Sequence, residues 1–197
     1  MKLFISPTSP FARLVMVVAY RKHIDLSLVF VNPWENSAEL ATATPFSQVP
    51  ALLTDDDVLI TESSVIIGFL APEFFADSRT TSQLSYSISL ISQAVRAFAT
   101  QRFQPDSGEP HPFIERSESI LSAMLPKAPT LEPLSKDWGQ IFLGIALTYV
   151  QLRLPEIFQT AVSTVNQDAV AKFAQRDFMQ KTHMSNLEKH PASILAL

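Results

Sequence analysis

The residues best placed for chemistry in this sequence follow a short apolar segment at the N-terminus. Residues 2–5 are suited to a strand, and the stretch Ser9-Pro10-Phe11-Ala12-Arg13 comes soon after them. The first turn of a helix has unpaired N–H groups and carries the positive end of the helix dipole, so it favours an anion. Redox proteins often place a cysteine at such a junction, but this sequence contains none. A thiol that reacts here would therefore come from a bound molecule.

Two later segments offer groups that could hold a peptide. If the Val49-Pro50 bond is cis, Val49 presents its N–H and C=O to an extended peptide; a trans proline would simply begin the next strand. Glu62 and Ser63 offer a carboxylate for an ammonium group and an N–H with a hydroxyl for a carboxylate. Taken alone, Thr61-Glu62-Ser63 would suit an ordinary helix cap, in which Thr61 with Ser64 or Glu62 serves the exposed N–H groups.

The strand and helix signals in the first part of the chain place these groups. Residues 2–5 and 26–31 read as strands, with a helix at 11–23 between them, which is a right-handed parallel crossover. A short helix is expected at 37–42. Residues 51–53 and 58–60 flank three aspartates and predict an antiparallel hairpin, and residues 65–70 predict a helix. The order is therefore βαβ–ββα.

The rest of the chain has helical periodicity and no convincing strand. Apolar residues recur at three- and four-residue steps from residue 84, and helices are expected at 113–125 and 169–181. Asp137 and Gln140 fit a capping box before a very apolar helix. We expect an α/β domain at residues 1–75 and an all-helical domain at 82–197.

Composition excludes several classes of function. With 197 residues, 47% of them hydrophobic, the chain can bury a core, and its net charge of −4 argues against a nucleic-acid surface. The histidines are too far apart for a standard metal site. The uncharged run at 138–152 is shorter than the ~20 residues needed to cross a bilayer, and Pro7, Pro10 and Arg13 interrupt any signal-peptide core. We expect a cytoplasmic protein without metal, nucleic-acid or membrane partners.

The ordered combination of these motifs resembles the cytosolic glutathione S-transferase family. Ser-Pro-Phe-x-Arg follows the first strand, Gln48-Val49-Pro50 precedes the third, Glu62-Ser63 precedes a helix, and a helical half follows. The sequence is most similar to bacterial transferases with a Ser-Pro-Phe motif, and also to the omega type, which has Cys-Pro-Phe there. The resemblance implies a thioredoxin-like N-terminal domain and a helical C-terminal domain. The family usually has Asn-Pro-x-Gly where this chain has Thr44-Pro45-Phe46-Ser47, and Asp where Gln140 stands.

The resemblance also implies roles for individual residues. Pro50 would be the cis-proline, and Val49 the backbone partner of the cysteinyl unit of glutathione. Glu62 and Ser63 would hold the γ-glutamyl end. Gln48, Trp34 and Phe11 would add contacts to the bound peptide, with Trp34 walling the site or contacting the glycyl end, although a tryptophan there also suits plain packing. Glutathione would be a co-substrate, with no other cofactor.

A serine hydroxyl is the expected activator of the thiol. A hydroxyl that donates to sulfur at a helix N-terminus could lower a thiol pKa of about 8.5 by about two units. Ser9 is favoured over Ser6, although either could serve as a helix cap or turn residue instead. Tyr20, Tyr86 and Tyr149 lie away from this loop in the sequence. Without a protein thiol, no protein–glutathione mixed disulfide can form.

The implied activity is attack of activated glutathione on a small hydrophobic electrophile, as in detoxification. The electrophile pocket would involve Phe11, Phe98, Arg96, Arg102 and Phe103, and the protein would form a homodimer. The competing hypothesis is a non-catalytic binding or interaction protein with the same fold.

Overall fold

One mixed sheet organises the N-terminal residues. In a computed structural model, which describes residues 1–35, 38–105, 109 and 111–197, the strands are β1 (Lys2–Ile5), β2 (Ser27–Phe30), β3 (Ala51–Leu53) and β4 (Leu59–Thr61). Their order in the sheet is β2-β1-β3-β4. β1 is parallel to β2 and antiparallel to β3, and β3 is antiparallel to β4. This is the βαβ–ββα thioredoxin-like arrangement that the sequence predicts.

Helix α1 (Pro10–Arg21) connects the two parallel strands. Its apolar residues at 14–19, among them Leu14, Val15, Val18 and Ala19, are all fully buried. It packs against α3 (Ser63–Leu70), which follows β4. The shorter helices α2 (Ala38–Ala43) and α4 (Glu73–Ala76) complete this part of the chain; the sequence indicated the first but not the second. Ser37, where a helix start was expected, lies outside the described residues.

The described residues after β4 are mainly helical. Helix α5 (Ser78–Phe103) is followed by α6 (Pro112–Met124), α7 (Trp138–Arg153), α8 (Pro155–Ala161) and α9 (Thr164–Phe173). Asp137 caps α7, its carboxylate accepting the N–H of Gln140 at 3.1 Å. The Gln140 side chain does not complete the capping box: its carbonyl accepts the N–H of Glu132 at 2.7 Å.

The single helix expected at 169–181 is interrupted. α9 ends at Phe173, and α10 (Asp177–Lys181) begins after Arg176, whose extended backbone has a ψ of 146°. α11 (Met184–Leu187) and a 3-10 turn (Ile194–Ala196) follow. The interruption lets α10 pack against α1.

The chain divides into two units by its internal contacts. The first comprises Met1–Thr81 together with Gln175–Leu197, and the second comprises Ser82–Ala174. The sequence assigns residues 175–197 to the helical domain, whereas these contacts group them with the N-terminal residues. The physical reason is visible in the backbone: Leu28 donates to the carbonyl of Ala192 at 2.9 Å, and Ile194 to that of Leu26 at 3.0 Å.

Candidate functional site

Strand pairing brings the predicted glutathione-binding segments to one end of the sheet. Phe4 pairs with Ala51, and Ala51 pairs with Thr61. Because both pairings are antiparallel, the segment after β1, the Val49-Pro50 segment before β3 and the Glu62-Ser63 segment after β4 all extend from that same end. β2 is parallel to β1, with Ile5 opposite Phe30, so the chain that leads to Trp34 leaves the sheet there too.

Ser9 is the N-cap of α1. Its hydroxyl oxygen accepts the N–H of Ala12 at 3.2 Å, and its carbonyl accepts the N–H of Arg13 at 3.1 Å. Accepting a hydrogen bond leaves the hydroxyl proton of Ser9 free to be donated. Ser9 is partly exposed, so this proton can be offered to a ligand at the positive end of α1.

Ser6 is more enclosed than Ser9. Its side chain is buried, and its hydroxyl lies 3.4 Å from that of Thr8. The carbonyl of Ser6 accepts the N–H of Ser9 at 3.0 Å, which closes the loop between β1 and α1. Sequence reasoning did not single out Thr8, a third hydroxyl in this loop; only its spacing from Ser6 and Ser9 could have indicated it.

The three tyrosines are poor alternatives as activators. Tyr20 donates its hydroxyl to Asp177 at 2.7 Å, and this bond raises its pKa. Burial raises the pKa of Tyr86 and of Tyr149. Donation to a thiolate requires an available proton at the site: that of Tyr20 is engaged by Asp177, and Tyr86 and Tyr149 lie on α5 and α7 rather than in the loop between β1 and α1.

The Val49-Pro50 peptide bond is cis, the alternative that the family resemblance implies. The Val49 side chain packs against a cluster of buried residues that includes Phe4 and Ala51. Among the described residues, no hydrogen bond engages the backbone of Val49. Its N–H and C=O therefore have no partner in that part of the chain, as a pairing site for an extended peptide requires. Gln48, the preceding residue, is exposed.

The turn before this segment shows how the chain adapts to its departure from the family pattern. Ser47 has a φ of 48°, in the left-handed region that glycine adopts most readily, and it stands where the family usually has glycine. Thr44 is fully buried, and its hydroxyl accepts the N–H of Phe46 at 3.4 Å. The substituted residues thus still form a turn, which Ser47 closes by donating to the carbonyl of Thr44.

The N-terminus of α3 has no side-chain cap. Glu62 is the N-cap residue, with a φ of 66°, and no side chain among the described residues accepts from the first N–H groups of the helix. Thr61, Glu62 and Ser64, any of which the sequence would allow as a cap, do not serve as one. The Glu62 carboxylate is exposed and has no partner among the described residues, and Ser63 beside it is buried. A ligand with an ammonium and a carboxylate would complement both features.

The residues predicted to line an electrophile pocket are divided between the two units. Phe11 lies in the first turn of α1, while the other predicted residues, Arg96, Phe98, Arg102 and Phe103, lie on α5 within the second unit. Phe98 and Arg102 are one helical turn apart. The Phe98 ring is already covered in part, since the guanidinium of Arg153 lies 4.5 Å from its centroid. The electrophile pocket stays a prediction.

Two general features of the described residues bear on the remaining predictions. No cluster of three or more His, Asp or Glu side chains suited to a metal ion occurs among them. None of the helices in the described part of the chain combines the length and the apolar character required to span a membrane.

The N-terminal part of the chain is similar to a known protein family. Residues 8–72 match the family model described as "Glutathione S-transferase, N-terminal domain". No curated protein sequence matches the chain. Solved structures do match it over most of its length.

A glutathione S-transferase from Methylobacillus flagellatus, solved with glutathione bound, is 24% identical with a TM-score of 0.69, and the match covers 92% of this chain and 98% of that one. A glutathione transferase family member from Pseudomonas fluorescens, with S-(propanoic acid)-glutathione bound, is 18% identical with a TM-score of 0.75, covering 93% and 98%. A Gtt2-class transferase from Vibrio parahaemolyticus is 18% identical with a TM-score of 0.67, covering 95% and 99%. Residues 8–72 therefore match a glutathione S-transferase N-terminal domain, and the chain as a whole shares the fold of these solved transferases.

Proposed function

We propose that this protein is a glutathione S-transferase that activates the thiol of glutathione for attack on a small hydrophobic electrophile. The observation that carries the proposal is the convergence of three segments at one end of the sheet. The unpaired backbone of Val49, the uncapped N-terminus of α3 beside Glu62, and the N-terminus of α1 at Ser9 all belong to it. The match to the N-terminal domain family supports the same assignment.

These segments complement the chemistry of glutathione. Val49 pairs with the cysteinyl unit through its N–H and C=O, as in β-strand addition. The Glu62 carboxylate binds the α-ammonium group of the γ-glutamyl residue, and Ser63 with the N–H groups of α3 binds its carboxylate. Gln48, Trp34 and Phe11 contribute further contacts. The solved transferases with glutathione or a glutathione conjugate bound support this choice of ligand.

Ser9 acts on the sulfur in this proposal. The thiol proton leaves to solvent, and the Ser9 hydroxyl donates to the thiolate while the α1 N-terminus stabilises its charge. The thiolate then forms a carbon–sulfur bond to the electrophile, which accepts the electron pair or releases a leaving group. Holding the peptide in place reduces the entropic part of the barrier.

One observation favours a second candidate, a glutathione-binding protein without transferase activity. The Ser9 hydroxyl already accepts the N–H of Ala12, so helix capping alone gives the serine a structural role. Such a protein would bind glutathione as its thiol and would not promote ionisation.

Titration with glutathione, followed by ultraviolet detection of the bound thiolate, separates the two candidates. We expect binding below millimolar ligand and a thiolate band that develops near neutral pH. In Ser9→Ala, binding should persist while the midpoint of the band moves up by about one pH unit, because the donor to sulfur is lost and the helix N-terminus remains.

Ser6→Ala is the matched control, since Ser6 is a second hydroxyl in the same loop. Its thiolate midpoint should equal that of the wild type. A shift in Ser6→Ala instead of Ser9→Ala would contradict the assignment of Ser9. Binding without any thiolate band would favour the non-catalytic candidate, and no binding at millimolar glutathione would refute both.

A further inference from the structure

Arg13 is a largely buried cation one helical turn after Ser9. Its Nε donates to the hydroxyl of Thr182 at 3.1 Å, and its Nη2 donates to the carbonyl of Met179 at 2.7 Å. The ion pairs among the described residues join other groups, and no carboxylate neutralises Arg13 in that part of the chain. Burial lowers the pKa of Arg13 to about 10, so the side chain stays charged at neutral pH.

Both acceptors of Arg13 belong to the C-terminal segment, residues 175–197. Met179 lies in α10, and carbonyl groups in the last turn of a helix lack a donor within that helix. Thr182 is 1% exposed and donates its own proton to Phe178 at 2.7 Å, which leaves its oxygen to accept from Arg13. Arg13 therefore satisfies acceptors that the C-terminal segment would otherwise leave buried without a donor.

The C-terminal segment is also fixed to the sheet, independently of Arg13. Ser193 forms an antiparallel bridge with Ser27, and the flanking bonds from Leu28 and to Leu26 extend it along the outer edge of β2. The His190 ring stacks on that of Phe30, with centroids 4.4 Å apart and planes within 3°. The segment thus forms an anchored support beside the first turns of α1.

The backbone of the first turn of α1 links Arg13 to the proposed thiol site at Ser9. The N–H of Arg13 donates to the carbonyl of Ser9, and the Ser9 hydroxyl accepts from Ala12 within the same turn. Fixing Arg13 therefore fixes the turn whose geometry orients the Ser9 hydroxyl.

We propose that Arg13 is a positioning residue for the thiol chemistry: by fastening the first turn of α1 to the C-terminal segment, it holds the Ser9 hydroxyl in place to donate to the sulfur of glutathione. This inference rests on the proposed function and assigns residues 175–197 a part in it. A displacement of about 1 Å in such a donor is enough to weaken its bond to sulfur substantially.

The other charged groups around α1 have partners of their own. α10 carries Asp177, which accepts from Tyr20 near the far end of α1, and Lys181, whose ammonium donates to the carbonyl of Leu197. α3 carries no charged residue, and neither does the 3-10 turn at Ile194–Ala196. Arg21, at the end of α1, lies over the Phe178 ring, with 5.6 Å from its guanidinium carbon to the ring centroid. Asp177 is thus engaged by Tyr20 and does not neutralise Arg13.

Substitution of Arg13 tests the proposal. The quantity measured is the pH midpoint of the thiolate band of bound glutathione. In Arg13→Met we expect the midpoint to rise by on the order of 0.5–1 unit. The dissociation constant of glutathione should stay within about twofold, because the main binding groups, at Val49, Glu62 and Ser63, lie on other segments. Arg13→Lys, which keeps the charge and can still donate to one of the two acceptors, should show a smaller shift than Arg13→Met.

Thr182→Val and Tyr20→Phe are the milder variants that keep the test decisive. Thr182→Val removes one acceptor of Arg13 and should move the midpoint in the same direction by a smaller amount. Tyr20→Phe removes the exposed bond between α1 and α10 without touching Arg13, and its midpoint should equal that of the wild type.

The outcomes distinguish this inference from the proposed function. A wild-type thiolate band with an unchanged midpoint in folded Arg13→Met overturns the role of Arg13 alone. If Arg13→Met does not fold, an unchanged midpoint in Thr182→Val overturns it in the same way. An equal shift in Tyr20→Phe also overturns it, because general loosening of α10 would then suffice. Absence of the band in the wild type overturns both the inference and the proposed transferase activity.

Discussion

At Glu62, a side chain with a full negative charge is combined with a backbone conformation that side chains rarely adopt. A φ of 66° in a residue other than glycine costs of order 1 kcal/mol or more, and it occurs here directly before α3. In the part of the chain that the structure describes, no side chain accepts from the first N–H groups of that helix. A strained and uncapped junction beside a free carboxylate is expected where a ligand supplies the missing interactions.

Replacing Glu62 with Gln should weaken glutathione binding by about 2 kcal/mol, or roughly thirtyfold in dissociation constant, because a charge-assisted contact to the ligand ammonium is lost. Calorimetric titration measures the change. Asp57→Asn is the control: Asp57 is also an exposed acid with positive φ, 58°, but it lies in the turn at the opposite end of the β3–β4 hairpin. Equal affinities for wild type and Glu62→Gln would contradict the proposed binding mode.

The sequence identifies the candidate site residues by motif but leaves part of their local geometry open. Gln48, Val49 and Pro50 are identified by motif, but the sequence leaves the cis and trans forms of the proline open. Ser47 shows a second case in which the sequence does not predict the local backbone geometry. Its residue type does not favour positive φ, and only the turn closed by Thr44 accounts for the value observed. Local propensity gives way here to contacts that hold the turn.

Among the helices, α7 depends on a close approach at Gly144. A Cβ at this position would lie 2.5–2.6 Å from ring atoms of Phe173, and that ring is fully buried on α9. We expect Gly144→Ala to reduce the free energy of unfolding by about 1–3 kcal/mol, measured by urea denaturation, because the gain in helix propensity is smaller than the cost of overpacking.

Gly68→Ala is the matched control for Gly144→Ala, since Gly68 is also a helical glycine facing a phenylalanine. A Cβ there would lie 3.0 Å from the ring of Phe75, which is 45% exposed and has room to turn. Its stability should be unchanged or slightly raised. A Gly144→Ala protein as stable as Gly68→Ala would show that Phe173 can relax, contrary to the expectation.

At the scale of helices and strands, regular periodicity predicts the elements that contacts between neighbouring residues determine. Strand β1 occupies residues 2–5 as expected, and α1 (Pro10–Arg21) covers most of the range 11–23 predicted for it. The interruption between α9 and α10 escapes the pattern, because residues 169–181 retain helical spacing across it. It is determined by distant partners: Arg13 and Tyr20 bond to residues of α10 and its C-terminal end, more than 150 positions away in the chain.

For the molecule as a whole, the grouping of residues 175–197 with the N-terminal unit is the least predictable feature. The segment after residue 183 has no periodicity, and its bonds to β2 are backbone bonds that carry little sequence information.

The exposed face of α3 carries two large apolar side chains. Val65 and Phe69 are 56% and 52% exposed and lie four positions apart, so they share one face, opposite the buried Ile66, Ile67 and Leu70.

We expect this face of α3 to be covered by a second copy of the chain, because two large apolar side chains on one face favour burial in an interface. Sedimentation velocity should give about twice the monomer mass of 21.9 kDa. The double substitution Val65→Glu with Phe69→Glu should shift the protein to monomer, since a stable dimer does not tolerate unpaired charges at the centre of its interface.

Val165→Glu is the control for this substitution, since Val165 is equally exposed but lies on α9 in the second unit. It should leave the sedimenting mass unchanged, because the substitution leaves the apolar face of α3 intact. Thermal melting of each variant separates loss of association from loss of folding. A wild-type monomer at micromolar concentration, or a folded double variant with the wild-type mass, would refute the assignment of α3 to the interface.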